Sequence, residues 1–263
     1  MSLSGLRGQP APLPVPRHTF MVIAHRGDHT EAPENTLAAY RNGIKNGVDY
    51  VEIDLRTTRD SVLVIMHDAT VDRMTNGHGK VSELTYEQLR RLRVVDKRDS
   101  TVSCQVPSFE EVLQTCRDKV YIYLDFKDAS VQQSFDLIRK YGMERQFIVY
   151  INSEQQFVQW RTLFPQVPLM LSLPDEVKTT PQLQAFLSSA PVALLDGDYS
   201  DYTPEMIKAA ASRGIPAWPD IQSAGEAANW DRAISMGFRG LQTDHPALLI
   251  SYLKKRGLRH EAK

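Results

Sequence analysis

Residues 49–55 read D-Y-V-E-I-D-L, a short stretch rich in β-forming residues. Side chains two residues apart on a strand share one face, so Glu52 and Asp54 should point the same way, about 7 Å apart. Two carboxylates on one apolar face repel each other unless a cation lies between them or one is protonated. A divalent metal ion is the simplest such cation, and oxygen ligands favour Ca, Mg or Mn over Zn. The stretch therefore predicts a strand that ends in a metal site.

Outward from this stretch, short β-branched runs alternate with helical patterns along the whole chain. The predicted strands are residues 20–24, 50–55, 120–126, 147–151, 169–172, 192–195, 215–218 and 240–243. Between them, apolar residues recur at three- and four-residue spacing, which is the period of an amphipathic helix. Eight strands with intervening helices predict a (β/α)8 TIM barrel of the α/β class. A doubly wound open sheet is the alternative, but no glycine-rich phosphate loop follows the first strand.

One segment interrupts the alternation of strands and helices. A polar turn at residues 56–61 leads directly into a second β run at 62–66, with no helix between them. A connection that short can only join antiparallel strands, so we predict a hairpin that returns His67 to the level of Glu52 and Asp54. We expect residues from about 56 to 106 to form a small insertion after the second strand. The insertion would lie at the C-terminal barrel face, where active sites are built.

Length and composition limit the domain organisation and the partners. The 263 residues suffice for one barrel, and alternating prolines from 10 to 16 predict a flexible lead-in at 1–17 before a single domain at 18–263. A net charge of −1 without a long basic run argues against a nucleic-acid partner. No apolar run reaches the roughly 18 residues that a membrane span needs. These features predict a soluble protein and leave its compartment and oligomeric state open.

A third carboxylate follows the next predicted barrel strand. Residues 125–127 read D-F-K, which places Asp125 and Lys127 on one face at the C-terminal end of that strand. At this position in a barrel, we interpret Asp125 as a metal ligand. Lys127 is interpreted as a phosphate-binding or charge-balancing group.

In chain order, the motifs are H-R-G at 25–27, P-E-N-T at 33–36, E-x-D at 52–54, H-D at 67–68 and D-x-K at 125–127. With T-D-H-P at 243–246, this order resembles the glycerophosphodiester phosphodiesterase family over nearly the whole chain. The resemblance implies a metal-dependent hydrolase that splits glycerophosphodiesters, its small-molecule substrates, into sn-glycerol 3-phosphate and an alcohol. It also implies that His25 and His67 are the acid–base pair and that Glu52, Asp54 and Asp125 hold the ion.

Further residues are candidates for binding the substrate. Arg26 can offer a bidentate fork to phosphate, and Lys127 can act as a second point charge. Glu34 opens the first helix, where it either complements the helix dipole or reaches the active site. Trp218 is either a core residue or part of the glycerol pocket. The chain departs from the family pattern after Trp218, where P-D-I replaces the usual T-V-N, and Pro219 should end that strand early.

Two histidines suit acid–base chemistry because imidazole titrates nearest neutral pH. One would accept a proton from water or from the glycerol 2-hydroxyl of the substrate, and the other would protonate the leaving oxygen. The residues leave open which histidine takes which role. Two other functions remain as alternatives: a lyase-type reaction that releases a cyclic phosphate, as in the related phospholipase D toxins, and a non-catalytic barrel that only binds glycerophosphodiesters.

Overall fold

The computed structural model describes residues 9–96, 104–223 and 225–262. Its strands are β1 Met21–Ala24, β2 Tyr50–Thr57, β3 Leu63–Ile65, β4 Tyr121–Phe126, β5 Phe147–Ile151, β6 Leu169–Ser172, β7 Leu194–Asp196 and β8 Gly240–Thr243. Its helices are α1 Leu37–Asn46, α2 Tyr86–Arg90, α3 Phe109–Cys116, α4 Val131–Lys140, α5 Glu154–Leu163, α6 Thr180–Ser189, α7 Pro204–Ser212, α8 Trp230–Met236 and α9 Pro246–Lys255. Parallel strands pair in the order β7-β6-β5-β4-β2-β1-β8. Parallel strands that alternate with helices in this way confirm the predicted TIM-barrel-like α/β fold.

The prediction of a regular strand at residues 215–218 was wrong. This described segment runs between β7 and β8, but only single parallel bridges tie Ala217 to β7 and Asp220 to β8. The physical reason is the pair Pro216 and Pro219, which have no backbone N–H to donate to a neighbouring strand. The segment therefore occupies the place of a barrel strand without forming a continuous ladder.

The predicted hairpin after the metal-site stretch is confirmed. Strand β2 pairs antiparallel with β3, and Leu55 lies opposite Ile65. Past the end of β3, the backbone N–H of Met66 donates to the carbonyl of Asp54 at 3.0 Å. This bond places His67, the next residue, beside the carboxyl end of β2.

The segment that follows the hairpin has a small core of its own. The apolar side chains of this core are all buried, and they are Val64, Met66, Val71, Val81, Leu89, Val94 and Val106. Residues 97–103 lie outside the described part of the chain, so the limits of the insertion at 56–106 stay a prediction.

Two apolar layers hold the barrel together. One lies between the sheet and its helices and contains the fully buried Tyr40, Phe126 and Trp160. The other fills the barrel interior, where side chains from several strands meet around Tyr50 and Tyr123. Burial of a large side chain in such a layer stabilises the fold by about 1.5–3 kcal/mol. These layers leave the polar side chains at the strand ends to form a site.

Both ends of the described chain are fixed beneath the barrel. Asp49 is fully buried, and its carboxylate accepts from Arg259 at 2.9 Å and from the backbone N–H of Val22 at 2.8 Å. His18 Nδ1 lies 2.6 Å from the same carboxylate. Residues 9–17 run along this face, and the Tyr121 hydroxyl donates to the Val15 carbonyl at 2.8 Å. Residues 1–8 lie outside the described part, so the flexibility of the lead-in stays a prediction.

No helix in the described ranges is long and apolar enough to cross a membrane.

Candidate active site

Three carboxylates converge at the carboxyl ends of two adjacent strands. Strands β2 and β4 are paired in a register that sets Asp54 directly beside Asp125, and Glu52 precedes Asp54 by two residues on the same face. Oxygens of Glu52, Asp54 and Asp125 all lie within 4.8 Å of one another. Glu52 and Asp54 are only 3% and 1% exposed, so water can screen their mutual repulsion only weakly.

Burial and, to a lesser extent, this repulsion shift the pKa values of the cluster. Burial, reinforced by Asp54 and Asp125, raises the pKa of Glu52 well above its usual range. Burial also raises the pKa of Asp125, although the nearby Lys127 ammonium opposes the effect. Lys127 ion-pairs with Asp125 and lies 3.1 Å from Asp54 Oδ1. The cluster thus holds more negative charge than its burial favours. A bound cation would compensate this excess negative charge.

The donor set fits a hard divalent cation. All three ligands offer carboxylate oxygens, which suit Mg, Ca or Mn. In addition, the buried Asp54 Oδ1 accepts no hydrogen bond of good geometry from the described residues. Its nearest cation among these residues is the Lys127 ammonium, 3.1 Å away, which Asp125 shares, so a further cation would compensate the buried charge more fully. The predicted residues Glu52, Asp54 and Asp125 are therefore brought together in an arrangement that can hold a divalent ion.

The H-R-G motif is a turn that aims a backbone N–H at this cluster. Arg26 and Gly27 both have left-handed backbone conformations, with φ of 53° and 81°. The Arg26 N–H thereby donates to Glu52 Oε2 at 2.7 Å. A Cβ on Gly27 would lie 2.9 Å from the backbone of Ala39, so the turn needs glycine for space as well as for its φ. An unfavourable backbone held at Arg26 is typical of functional sites.

Glu34 lies between two arginines. Its Oε1 accepts from Arg26 at 2.8 Å and from Arg73 at 2.8 Å. Against the effect of burial, the hydrogen bond from Arg73 and the charge of Arg26 lower the pKa of Glu34. Of the two roles left open by the sequence, this geometry favours reaching the site, where Glu34 orients the Arg26 side chain.

Asn35 and Asn152 complete the surroundings of the carboxylates, and sequence reasoning assigned neither to the site. Asn35 donates through Nδ2 to Asp54 Oδ2 at 2.7 Å and accepts from the Tyr40 hydroxyl at 2.8 Å. Asn152 donates through Nδ2 to Asp125 Oδ1 at 2.7 Å. Such partners orient ligating carboxylates. The P-E-N-T motif was a signal for Asn35, whereas Asn152 lies in no motif.

Each predicted catalytic histidine is held by a carboxylate at the same ring atom. His25 Nδ1 lies 2.7 Å from Asp244 Oδ1, and His67 Nδ1 lies 2.7 Å from Asp68 Oδ1. A carboxylate at Nδ1 favours the proton on that nitrogen and leaves the lone pair on Nε2. Both rings are partly exposed, at 19% and 37% of the side-chain surface, so Nε2 can exchange protons with a substrate.

Asp68 and Asp244, the carboxylate partners of the two histidines, were not among the site residues predicted from the sequence. The hydrogen bond from Arg73 is the main cause that lowers the pKa of Asp68. For Asp244, bonds from His25 and His29 overcome the effect of burial and lower the pKa. Both carboxylates therefore stay ionised at neutral pH. Both lie in motifs already noted, H-D and T-D-H-P, but no spacing rule links them to the histidines.

Trp218 is part of the apolar layer in the barrel interior. It is 6% exposed within the interior layer, and its ring centroid is 5.2 Å from that of Tyr50. A Cβ on Gly240 would overlap the Trp218 ring, so glycine at that position makes room for the indole. A contact between Trp218 and the glycerol of a substrate stays a prediction.

Comparisons with known proteins agree with the fold and indicate a family. Residues 25–248 match the model of the glycerophosphoryl diester phosphodiesterase family. A glycerophosphodiester phosphodiesterase of Caldanaerobacter subterraneus is 28% identical over 90% of this chain and 99% of its own length. A glycerophosphodiester phosphodiesterase of Bacillus subtilis is 26% identical over 87% of this chain and 85% of its own.

A solved structure shares the architecture. The crystal structure of glycerophosphodiester phosphodiesterase from Agrobacterium tumefaciens aligns with a TM-score of 0.77 at 25% sequence identity, and the alignment covers 87% of this chain and 98% of that one. The family match spans every motif from H-R-G to T-D-H-P. This chain belongs to the glycerophosphoryl diester phosphodiesterase family.

Proposed function

We propose that this protein hydrolyses glycerophosphodiesters to sn-glycerol 3-phosphate and an alcohol, with a divalent ion on its carboxylate cluster and His25 and His67 as the acid–base pair. One observation carries the proposal beyond family membership. Each histidine has its Nδ1 bound by a carboxylate and adjoins a residue whose backbone N–H is bonded to the cluster strand. Next to His25, the Arg26 N–H donates to the Glu52 carboxylate. Next to His67, the Met66 N–H donates to the Asp54 carbonyl.

The phosphate of the substrate would be bound by cations that already converge on the site. Although burial disfavours its charge, the carboxylates of Glu34, Asp54 and Glu52 raise the pKa of Arg26. In the same way, Asp54 and Asp125 outweigh burial and raise the pKa of Lys127. Both side chains therefore stay charged and can bind phosphoryl oxygens. An ion on Glu52, Asp54 and Asp125 would supply further charge stabilisation as a Lewis acid.

The histidines would move the two protons of the reaction. One Nε2 accepts a proton from the attacking water as its oxygen bonds to phosphorus. The other Nε2 donates a proton to the alcohol oxygen as its bond to phosphorus breaks. The ring that gains a proton and the ring that loses one return to their starting states by exchange with solvent. Asp244 and Asp68 stabilise the imidazolium form in each case.

For the ion, we propose Ca or Mg, with Mn as the alternative. Carboxylate oxygens are hard ligands that all three cations accept, whereas Zn prefers nitrogen and sulfur. A small-molecule glycerophosphodiester is the proposed partner.

Phosphorus NMR of glycerophosphocholine incubated with the purified protein tests the function. We expect a glycerol 3-phosphate resonance with Mg²⁺ or Ca²⁺, no turnover after chelation, and recovery when the ion is added back. Full activity in metal-free protein would refute the role of the ion. A cyclic phosphate as the end product would instead establish the lyase-type reaction. No conversion under any ion, with binding of the diester retained, would identify a binding protein.

A further inference from the structure

A second group of metal-ligating side chains lies at the barrel mouth and includes one of the proposed catalytic residues. His25, His29 and Asp244 each offer one atom, and these atoms lie within 4.8 Å of one another. His25 Nδ1 is 2.7 Å and His29 Nε2 is 3.1 Å from the same Asp244 oxygen. The three side chains are 19%, 25% and 25% exposed, so an ion from solvent can reach them.

The spacing of these atoms is close to that of a metal site. With bonds of about 2.0–2.1 Å, tetrahedral ligand atoms lie roughly 3.3 Å apart. The separation between His29 and Asp244 already approaches this value, and that between His25 and Asp244 falls about 0.6 Å short of it. The two rings meet edge to face, with centroids 6.3 Å apart and planes at 71°, so they do not stack against each other. Small rotations of partly exposed side chains would admit an ion.

We propose that His25, His29 and Asp244 form an inhibitory site for a divalent ion that prefers nitrogen ligands, with Zn²⁺ as the representative. Two imidazole nitrogens and one carboxylate suit Zn²⁺ and other transition-metal ions, whereas the all-oxygen cluster of Glu52 and its neighbours suits Mg²⁺ or Ca²⁺. The two sites therefore differ in the ions that they select.

Occupation of this site would remove His25 from acid–base chemistry. The ion takes the lone pair of Nδ1, and the remaining ring proton then resides on Nε2. That nitrogen has no lone pair left to accept a proton from water. As general acid the ring would fare no better, because loss of its Nε2 proton would leave an imidazolate, and Asp244 no longer stabilises an imidazolium. Inhibition rests on the proposed role of His25, whereas binding of the ion does not. The two can therefore fail independently.

Binding is tested on the 263-residue chain saturated with Mg²⁺, with Co²⁺ as an optical stand-in for Zn²⁺. We expect visible absorption bands of nitrogen-ligated Co²⁺ in the wild type and their loss in His29→Ala. A second variant, His29→Gln, keeps a polar side chain of similar size and should lose the bands too. His78→Ala removes a histidine that pairs with an aspartate at 3.0 Å on an exposed loop, and it should bind Co²⁺ like the wild type.

Inhibition is tested by titrating Zn²⁺ against turnover in saturating Mg²⁺. The Zn²⁺ concentration for half inhibition should rise at least about tenfold in His29→Ala, since even partners outside the first coordination shell are worth about 10–100-fold. His78→Ala should match the wild type. Absence of the Co²⁺ bands, or equal bands in His29→Ala and the wild type, would overturn the site. Equal Zn²⁺ sensitivity of the wild type and His29→Ala would refute inhibition through this site and assign the inhibition to the carboxylate cluster.

Discussion

At the scale of single residues, the two histidines owe their proposed roles to their carboxylate partners. The family resemblance implied the acid–base roles of His25 and His67, because both lie in motifs that carry it. These motifs did not predict Asp244, which is 219 residues from His25 in the chain and meets it only through the pairing of β1 with β8. Contacts between distant strands have no local signal, which is why this partner was missed.

Replacing Asp244 by Asn should lower turnover by roughly 10²–10⁴, because an amide no longer fixes the Nδ1 proton or stabilises the imidazolium. The KM should change little, since Asp244 does not bind phosphate. Steady-state kinetics on glycerophosphocholine measure both constants. Asp72→Asn is the matched control, as Asp72 also pairs with a histidine Nδ1, at 3.0 Å, but on an exposed loop. Equal turnover in Asp244→Asn and Asp72→Asn would show that the carboxylate does not assist His25.

Glu52 gives a prediction about pH. Its pKa is raised in the folded protein, so the metal-free fold binds this proton more tightly than the unfolded chain does. Stability should therefore fall as pH rises above about 4.3, the usual glutamate pKa. Glu52→Gln should make the chelated protein more stable at pH 7, because it removes the carboxylate charge that burial disfavours.

Thermal unfolding in chelator, with and without added Mg²⁺, measures this effect. Mg²⁺ should stabilise the wild type, since it binds only the folded state, and should leave Glu52→Gln nearly unchanged. A variant that is less stable than the wild type in chelator would contradict the account of a strained carboxylate cluster.

At the scale of elements, hydrophobic periodicity and turn chemistry were the main signals that predicted the helices, the strands and the hairpin. Thr85 and Ser108 each have a glutamine or glutamate three residues later, and both form capping boxes, at the starts of α2 and α3. The hairpin of β2 and β3 follows from the length of its turn. The segment at 215–218 was misjudged because its apolar pattern is that of a strand. Its prolines remove the N–H groups that would complete the ladder.

The H-R-G turn gives the second prediction about stability. Gly27→Ala should destabilise the protein by roughly 2 kcal/mol or more, because it adds a clash with Ala39 to the cost of a left-handed backbone. Gly47 has nearly the same φ, 78° against 81°, but no described atom lies within 4 Å of a Cβ there. Gly47→Ala should thus cost only about 1 kcal/mol.

Denaturant unfolding compares the two variants. If Gly27→Ala were no more destabilising than Gly47→Ala, the close packing of the turn on α1 would not contribute to stability.

At the scale of the whole molecule, segments near both ends of the described chain contact each other at the bottom of the barrel. Arg259 and Asp49 are an ion pair in which both side chains are almost fully buried. Arg259→Ala removes the arginine from the buried Asp49 carboxylate, which keeps only His18 and the Val22 N–H of its described partners, and should cost about 3–5 kcal/mol. The carboxyl ends of the strands, where the site lies, are at the opposite face, so kcat of the folded protein should be unaffected.

Arg256→Ala is the control for this variant. Arg256 pairs with Asp231 at 3.2 Å, but both side chains are more than half exposed, so its loss should cost about 0–1 kcal/mol. Equal losses of stability in the two variants, measured by urea unfolding, would show that the buried pair stabilises the barrel no more than the exposed pair does.

The central claim is that the histidines transfer protons while the carboxylates alone bind the ion. Its most direct test measures kcat for His25→Ala and His67→Ala at saturating Mg²⁺, with the ion's Kd determined calorimetrically on the same samples. We predict that each variant loses roughly 10²–10⁴ in kcat and keeps the wild-type Kd. Near-normal turnover in either variant, or a loss of turnover accompanied by a loss of ion binding, would contradict the claim.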